Sequence, residues 1–452
     1  MIFATLLLSC DGARRAPSEV APRPNASRSD TLEGPTAPPF QQGPLDPALA
    51  RALQTVFGDN LASGSFGDPQ FRSLDHIAQS GDVRIAWIVA DLLRIVRNPA
   101  LRARLATALA GLTHLELSLA NAWHEATDQL IAWDVPAPPG YLAFKRRIFT
   151  LLLPAWDRIF VEGNIDWRHV TWGGVAMDAR PFDTTDDPCN CIPATDNPPV
   201  TDVAGADWLE DDDIVFGVAV GGEHRAYPRR IMEVREMVND TLGGRDLAIP
   251  YCTLCGSAQA YFTDRLPEGV ERPILRTSGL LVRSNKVMFD LETFSVFDTF
   301  RGTALTGPLA ERGITLPQAS VVTARWGEWR RAHPETTVLV ERLALGRDFD
   351  FRNGRDADGP IFPIGDVDPR LPVQEDVIGV VTQSGRAVAF RIPAVRAALD
   401  RGEPVEVENV RVVADGGGFR AVDRAGMDLG AHQAFWFAWS QFHPGTQVWP
   451  DD

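Results

Sequence analysis

The sequence has no run of about 20 apolar residues, the length a helix needs to cross a bilayer. It also has no excess of positive charge. Sixty acidic side chains stand against 44 Lys and Arg, and the net charge of −16 repels nucleic-acid phosphates. No G-x-S-x-G elbow, H-E-x-x-H helix, Walker loop or dinucleotide fingerprint occurs, which removes the commonest hydrolase, metalloprotease and nucleotide readings. Histidine and cysteine are scarce, at eight and five. What remains is an ordinary globular mixture, 44% apolar and 23% charged over 452 residues, enough for two or three domains with a sizeable core.

The first ten residues, "MIFATLLLSC", form a short apolar run ending in Leu-Leu-Ser-Cys. This resembles the lipobox of bacterial lipoproteins, which implies that Cys10 carries a lipid. A frayed apolar terminus with a chance cysteine is the plainer alternative. Residues 11–44 are rich in Pro, Ser, Gly and Ala; they cannot bury a core and read as a disordered tether. A lipid followed by a tether places the folded part outside the cytoplasm, in the cell envelope, with the membrane as a partner through the anchor.

Residues 45–165 read as a helical module. Ile85, Ile88, Val89, Leu92, Leu93 and Val96 follow helical spacing, Asn98-Pro99 interrupts it, and Leu101, Leu105, Ala108, Leu109 and Leu112 resume it. Two amphipathic helices joined by a Pro turn look HEAT-like. Leu115, Leu119 and Trp123 suggest a third helix, and "YLAFKRRIFTLLLPAWDRIF" a fourth. No catalytic cluster occurs here; a packing or docking role follows, with residues 45–160 as a surface for a protein partner.

Beyond residue 165 the texture turns to Gly, Pro, Asp and short β-branched runs. "DDIVFGVAVGGEHRAYP" reads as a hairpin about Gly221-Gly222, "VIGVVTQSGRAVAFRI" as one about Ser384-Gly385, and "VENVRVVADGGGFRAVD" as a third. Repeats are visible. "WRRAHPETTV" (329–338) and "WSQFHPGTQV" (439–448) share Trp, His, Pro, Thr and Val in register, and "GVAVGGEHRAY" resembles "GVVTQSGRAVAF" upstream. The expectation is an α+β chain whose helical module precedes two related β-rich halves, 166–345 and 346–452. The interval from Ala226 to Trp329 is about twice that from Ala389 to Trp439, and it alone holds Cys252 and Cys255.

Setting Cys10 aside leaves two close pairs, Cys189/Cys191 and Cys252/Cys255. Cys252-Thr-Leu-Cys255-Gly256 follows a strand and has zinc-knuckle spacing, whereas Cys189-Asn-Cys191 is tighter than the usual ligand gap. One four-thiolate centre, with zinc as the metal, is the favoured reading. Disulfides are the rival in an oxidising exterior, and a redox pair is the second. The redox reading lacks the helix N-terminus that lowers a nucleophilic thiol's pKa, because "GSAQAYF" has little helical pattern.

Two further sets stand out. Asn239 and Asp240, with Ser284, Asn285 and Lys286, offer polar groups that could line a pocket, although Asn and Asp also bond their own backbone in turns. His333 and His443 recur with Trp and Thr at fixed offsets, as structural corners would. His169 is more ambiguous, lying close to Cys189 in sequence.

The series "AYP…NDTLGG…PYCTLCGSA…SGLLVRSNKVMFDLETFS…GTALTGPL…WGEWRRAHPETTVL" resembles the bacterial family catalogued as domain of unknown function number 3179. Its motifs match at Cys252, Leu254, Cys255 and Gly256; at Ser278, Gly279, Leu281, Ser284 and Asn285; at Met288, Asp290 and Thr293; and at Trp329, His333, Pro334 and Thr336. The resemblance covers roughly residues 165–449 and implies a secreted or envelope protein of uncharacterised activity. One departure is Arg235-Glu236, where many members place His-Glu. The expectation is therefore an envelope lipoprotein with a four-cysteine metal centre of structural or sensory role. The alternatives are a thiol-redox or hydrolytic enzyme using residues 239–301, and an interaction module docking through its helices.

Overall fold

A computed structural model describes residues 34–58, 61, 66–184, 189–340, 360–382 and 384–450. Cys10 and residues 11–33 of the tether lie outside them. The chain divides into two compact units. One comprises Met1–Trp172 with Leu281–Arg283 and Pro360–Asp366; the other comprises Gly173–Leu280, Ser284–Gly359 and Val367–Asp452.

The first unit is helical, as its periodicity predicts. Its helices are Pro47–Phe57, Asp68–Gln79, Ala86–Ile95, Pro99–Thr113, Ala122–Ala132 and Tyr141–Leu152. Local chemistry sets their starts. The Asp46 carboxylate accepts from the Ala48 and Leu49 N–H groups at 2.8 and 3.2 Å, with Pro47 at the first helical position. The Asn98 side chain accepts from Leu101 N at 3.0 Å, again just before a Pro. Helix Ala86–Ile95 is buried on nearly every face, and the helices Pro99–Thr113, Ala122–Ala132 and Tyr141–Leu152 all pack on it. Helix Asp68–Gln79 packs in turn against both Pro47–Phe57 and Pro99–Thr113. The third predicted helix begins only at Ala122, leaving Leu119 exposed in the connection.

The second unit corrects the expectation of two β-rich halves. Five small sheets make it a five-bladed β-propeller. Residues 166–345 supply three of the sheets and residues 346–452 two, so no division into equivalent halves exists. The repeated segments are instead two individual sheets. In one, hairpin Ile214–Val220/Glu223–Pro228 is joined by Val321–Arg325, antiparallel, and by Thr337–Leu339, parallel. In the other, hairpin Asp376–Val381/Ala387–Arg391 is joined by His432–Phe435, antiparallel, and by Gln447–Trp449, parallel.

Each of these sheets is closed by strands far along the chain, and other sheets are inserted between. The first insertion holds two, built on Met237–Leu242/Arg245–Cys252 and on Leu275–Val282/Asn285–Asp290. The second holds only Val405–Val407, Val410–Asp415 and Gly418–Val422. The unequal intervals in the sequence are therefore a difference of one sheet.

In both Trp-His-Pro-Thr corners the Trp and Thr brace each other. Trp329 Nε1 donates to Thr336 Oγ1 at 3.0 Å, and Trp439 Nε1 to Thr446 Oγ1 at 2.9 Å. Each indole is fully buried over a strand glycine, Gly217 or Gly379. A Cβ on Gly379 would stand 2.1 Å from the Trp439 ring. Gly379→Ala is expected to destabilise the propeller by about 1–3 kcal/mol through overpacking, read from denaturant unfolding. A variant as stable as wild type would mean that the corner yields freely.

Candidate dithiol centre

Strand Arg245–Cys252 delivers Cys252 to a tight turn in which Cys255 N donates to Cys252 O at 3.3 Å. Gly256 then takes a left-handed φ of 60°, and a Cβ there would meet the Phe435 ring at 3.1 Å. The chain returns at once as strand Ser257–Ala258, pairing Cys252 with Ser257 and Tyr251 with Ala258. The C-x-x-C therefore opens a hairpin rather than a helix. This agrees with the helix-poor texture of "GSAQAYF".

Both thiols are buried, at 2% and 0% exposure, and both point at one acceptor. Cys252 Sγ and Cys255 Sγ each lie 3.6 Å from the Ser284 carbonyl oxygen. Ser284 adopts a left-handed φ of 72° in the turn before strand Asn285–Asp290, a conformation uncommon for a residue with a Cβ. Two residues on, the buried Lys286 ammonium donates to Tyr251 O at 2.9 Å and to Glu236 O. It pairs with Glu236 Oε2 at 3.0 Å. Glu236 is itself left-handed, ending helix Arg229–Arg235, and its Oε1 accepts from Thr253 Oγ1 at 3.4 Å.

The two thiols are not equivalent. Burial opposes ionisation of Cys252, and Glu236 adds to that. The hydrogen bond from Cys255, the Lys286 charge and the Lys286 backbone N–H outweigh them, so the thiol falls below its ordinary pKa. Cys255 is pushed well up, by burial first and then by its hydrogen bond to Cys252. One thiol is thus poised toward the thiolate and the other holds its proton.

The family model described as "Protein of unknown function (DUF3179)" matches residues 189–446, more than half of the chain. The chain belongs to this family. No curated protein and no solved structure matches it.

Many of the residues that carry the DUF3179 resemblance serve as braces. Ser278 Oγ donates to Val287 O at 2.6 Å across its hairpin. The Asp290 carboxylate accepts from Ile274 N, Thr293 N and Thr293 Oγ1 at 2.7–2.9 Å. Cys252, Cys255 and Ser284 are different, because the two thiols converge on the Ser284 backbone carbonyl.

The structure does not bring the four cysteines of this DUF3179 chain together. Cys189 and Cys191 form a disulfide with each other. Among the described residues, the one group of three or more metal-ligating side chains is Asp178 with Cys189 and Cys191, and it contains neither Cys252 nor Cys255. Asp178 is already engaged by Arg180 at 2.7 and 2.8 Å and by Ala194 N at 2.9 Å.

The polar set expected to line one pocket also separates. Asn239 and Asp240 are strand neighbours and face opposite sides. Asn239 bonds Asp196 and both backbone groups of Leu275. Asp240 holds Arg225 and the Tyr227 hydroxyl. Ser284 and Lys286 belong to the dithiol centre. Asn285 alternates with Lys286 to the other face of its strand, buried, its Oδ1 without a partner among the described residues.

Glu236 was not legible as a site residue. Its sequence signal was only its place beside the departure at Arg235. Arg235 itself is buried and reaches Ala194 O at 3.4 Å. His169, in the helical unit, lies 3.6 Å from Asp166 and 3.4 Å from Arg283. Burial, then Arg283, lower its pKa to about 4.

Proposed function

We propose that this protein is a lipid-anchored envelope protein whose Cys252–Cys255 pair binds a soft monovalent metal ion of the Cu(I) class. The observation that carries the reading is the convergence of two buried thiols on the Ser284 carbonyl at 3.6 Å each. Thiolates favour Cu(I) among common ions, whereas a structural zinc site needs four ligands. Here two sulfurs and a carbonyl oxygen are assembled, so the donor set suits Cu(I) better than the zinc expected from the knuckle spacing. Metal binding expels the thiol protons; the lowered Cys252 thiol and the Lys286 charge ease the first loss. The Cys189–Cys191 disulfide supports a location outside the cytosol, and Cys10 is the proposed point of lipid attachment.

The test is Cu(I) titration of the reduced full chain against a competing chelator, with zinc in parallel. One equivalent of Cu(I) is expected for wild type, and loss of at least a hundredfold in affinity for Cys252→Ser and Cys255→Ser. Uptake unchanged in Cys252→Ser would sink the metal reading.

A second reading rests on the inequality of the two thiols. A lowered thiol beside a protonated partner is the arrangement of a dithiol that closes to a disulfide. Recovery of a Cys252–Cys255 disulfide from protein isolated without reductant, together with no Cu(I) uptake after reduction, favours that reading over the metal.

A further inference from the structure

The two Trp-His-Pro-Thr corners are built alike, yet one histidine atom differs between them. Their helices end on His333 at φ −127°, ψ 71° and on His443 at φ −129°, ψ 67°. The imidazoles lie 4.2 and 4.1 Å from their tryptophan rings. In the first corner, His333 Nε2 is 2.7 Å from Asp415 Oδ1, and the other oxygen of that carboxylate is 3.2 Å from Arg420 Nε. The order is imidazole, carboxylate, guanidinium. Asp415 reaches in because Gly416 is left-handed and lies against Trp329, where a Cβ would be 2.5 Å from the ring.

The second corner keeps the imidazole and the guanidinium. Arg301 donates to Phe442 O, the carbonyl just before His443, and its charge acts on the His443 ring. His443 is 7% exposed, and its Nε2 has no hydrogen-bond partner among the described residues. A second imidazole joins it. His432 packs edge-on against the same Trp439 ring at 5.6 Å, is 2% exposed, and its Nε2 also lacks a partner among the described residues. Its Nδ1 receives Gln318 Nε2 at 3.0 Å, which leaves Nε2 as the N–H donor. A buried polar group left unmatched is costly; here the His432 N–H is one, and the His443 ring nitrogen beside the Arg301 charge is another.

The nearest carboxylate to Arg301, Asp298, is 3.9 Å from its Nε but is taken up by the N–H groups of Phe300 and Arg301 at 2.8 and 3.2 Å. Burial, then the neighbouring cation or imidazole, lower both histidines to about 3, so both rings are neutral at pH 7. Phe300, stacked on Phe442 at 4.6 Å, forms an apolar wall beside His432.

We infer that the Arg301–His443–His432 corner binds the carboxylate group of an external ligand, in the place that Asp415 fills in the other corner. The shared chemistry is one carboxylate accepting from two imidazole N–H groups and a guanidinium. A small organic acid and the C-terminus of a peptide both present it. The site uses neither Cys252 nor Cys255 and stands apart from the metal reading. Arg301, with half of its side chain exposed, is the solvent-facing member.

The test is isothermal titration and thermal shift of the full chain at pH 7 with four probes: acetate, succinate, a tripeptide with a free C-terminus, and its amide. Saturable binding of at least one carboxylate is expected, weakened about tenfold or more in Arg301→Gln and His443→Asn. Arg420→Gln, in the other corner, should bind as wild type does. Arg301→Gln removes a half-exposed side chain, so it keeps the test valid if His443→Asn fails to fold. Tighter binding of the free tripeptide than of acetate or succinate identifies a peptide C-terminus; the reverse identifies a small acid. Absence of saturation with every probe, equal binding by Arg301→Gln, or binding of the amide as tight as that of the free peptide overturns the assignment.

Discussion

Asp196→Ala should destabilise the propeller by about 3–5 kcal/mol, the range for breaking a buried ion pair from one side. Asp196 and Arg276 are both shut off from solvent, and their two-pronged contact measures 2.8 and 2.6 Å. Asp196 Oδ1 also accepts from Asn239 Nδ2 at 2.8 Å, and its Oδ2 accepts from Asp183 N at 2.9 Å. Removing the carboxylate leaves the Arg276 guanidinium with the Leu275 and Pro181 carbonyls at 3.3 and 3.5 Å, and with Asp178, 3.9 Å away and already committed to Arg180, as its one remaining carboxylate among the described residues. The loss should appear in denaturant unfolding as a lower midpoint at unchanged slope. The double variant Asp196→Leu/Arg276→Met removes both charges together and should recover most of the loss. An Asp196→Ala protein within about 1 kcal/mol of wild type would show that the pair carries little of the fold, and that Asn239 is held by Leu275 alone.

What the sequence revealed followed from interactions that are local in the chain. The helices were legible because their apolar period and the Asp46-Pro47 and Asn98-Pro99 starts are contained within single segments. The hairpins at Gly221-Gly222 and Gly416-Gly417 were legible because left-handed glycines announce them. The repeat was legible too, as matching strings. Its meaning was not, because each repeated sheet is completed by a strand that returns from far along the chain. Val321–Arg325 pairs with Ile214–Val220, and His432–Phe435 with Asp376–Val381. Strings that match at both ends of an insertion look like two domains on paper and become two blades in space.

The cysteines show the same limit. Spacing identified two pairs but could not say which sulfurs meet. Cys189 closes on Cys191, while Cys252 and Cys255 find a backbone carbonyl, an acceptor that no side-chain motif announces. Lys286 was named for its polar neighbours, whereas its place is set by alternation along strand Asn285–Asp290. That alternation turns Lys286 and Met288 toward the Cys252 sheet and Asn285 away.

Lys286 is where the proposed chemistry is most exposed to test. Its ammonium favours the Cys252 thiolate, and Glu236 opposes it. Lys286→Met removes the favourable charge and leaves the unfavourable one buried, so the Cys252 pKa must rise. At pH 7 less thiolate is then present, and the pH profile of alkylation in the reduced protein should move to higher pH. Cu(I) affinity should fall about 10–100-fold, as for other residues that support metal ligands from behind. Glu236→Gln reverses the sign: the opposing charge goes, Cys252 ionises more readily, and the alkylation profile should move to lower pH. The pair of variants separates electrostatics from damage to the fold, since misfolding exposes the thiols and cannot shift the two profiles in opposite directions. Shifts of the same sign in both would mean that the Lys286–Glu236 pair braces the turn without tuning the thiol, and the Cu(I) affinity would then have to come from the two sulfurs alone.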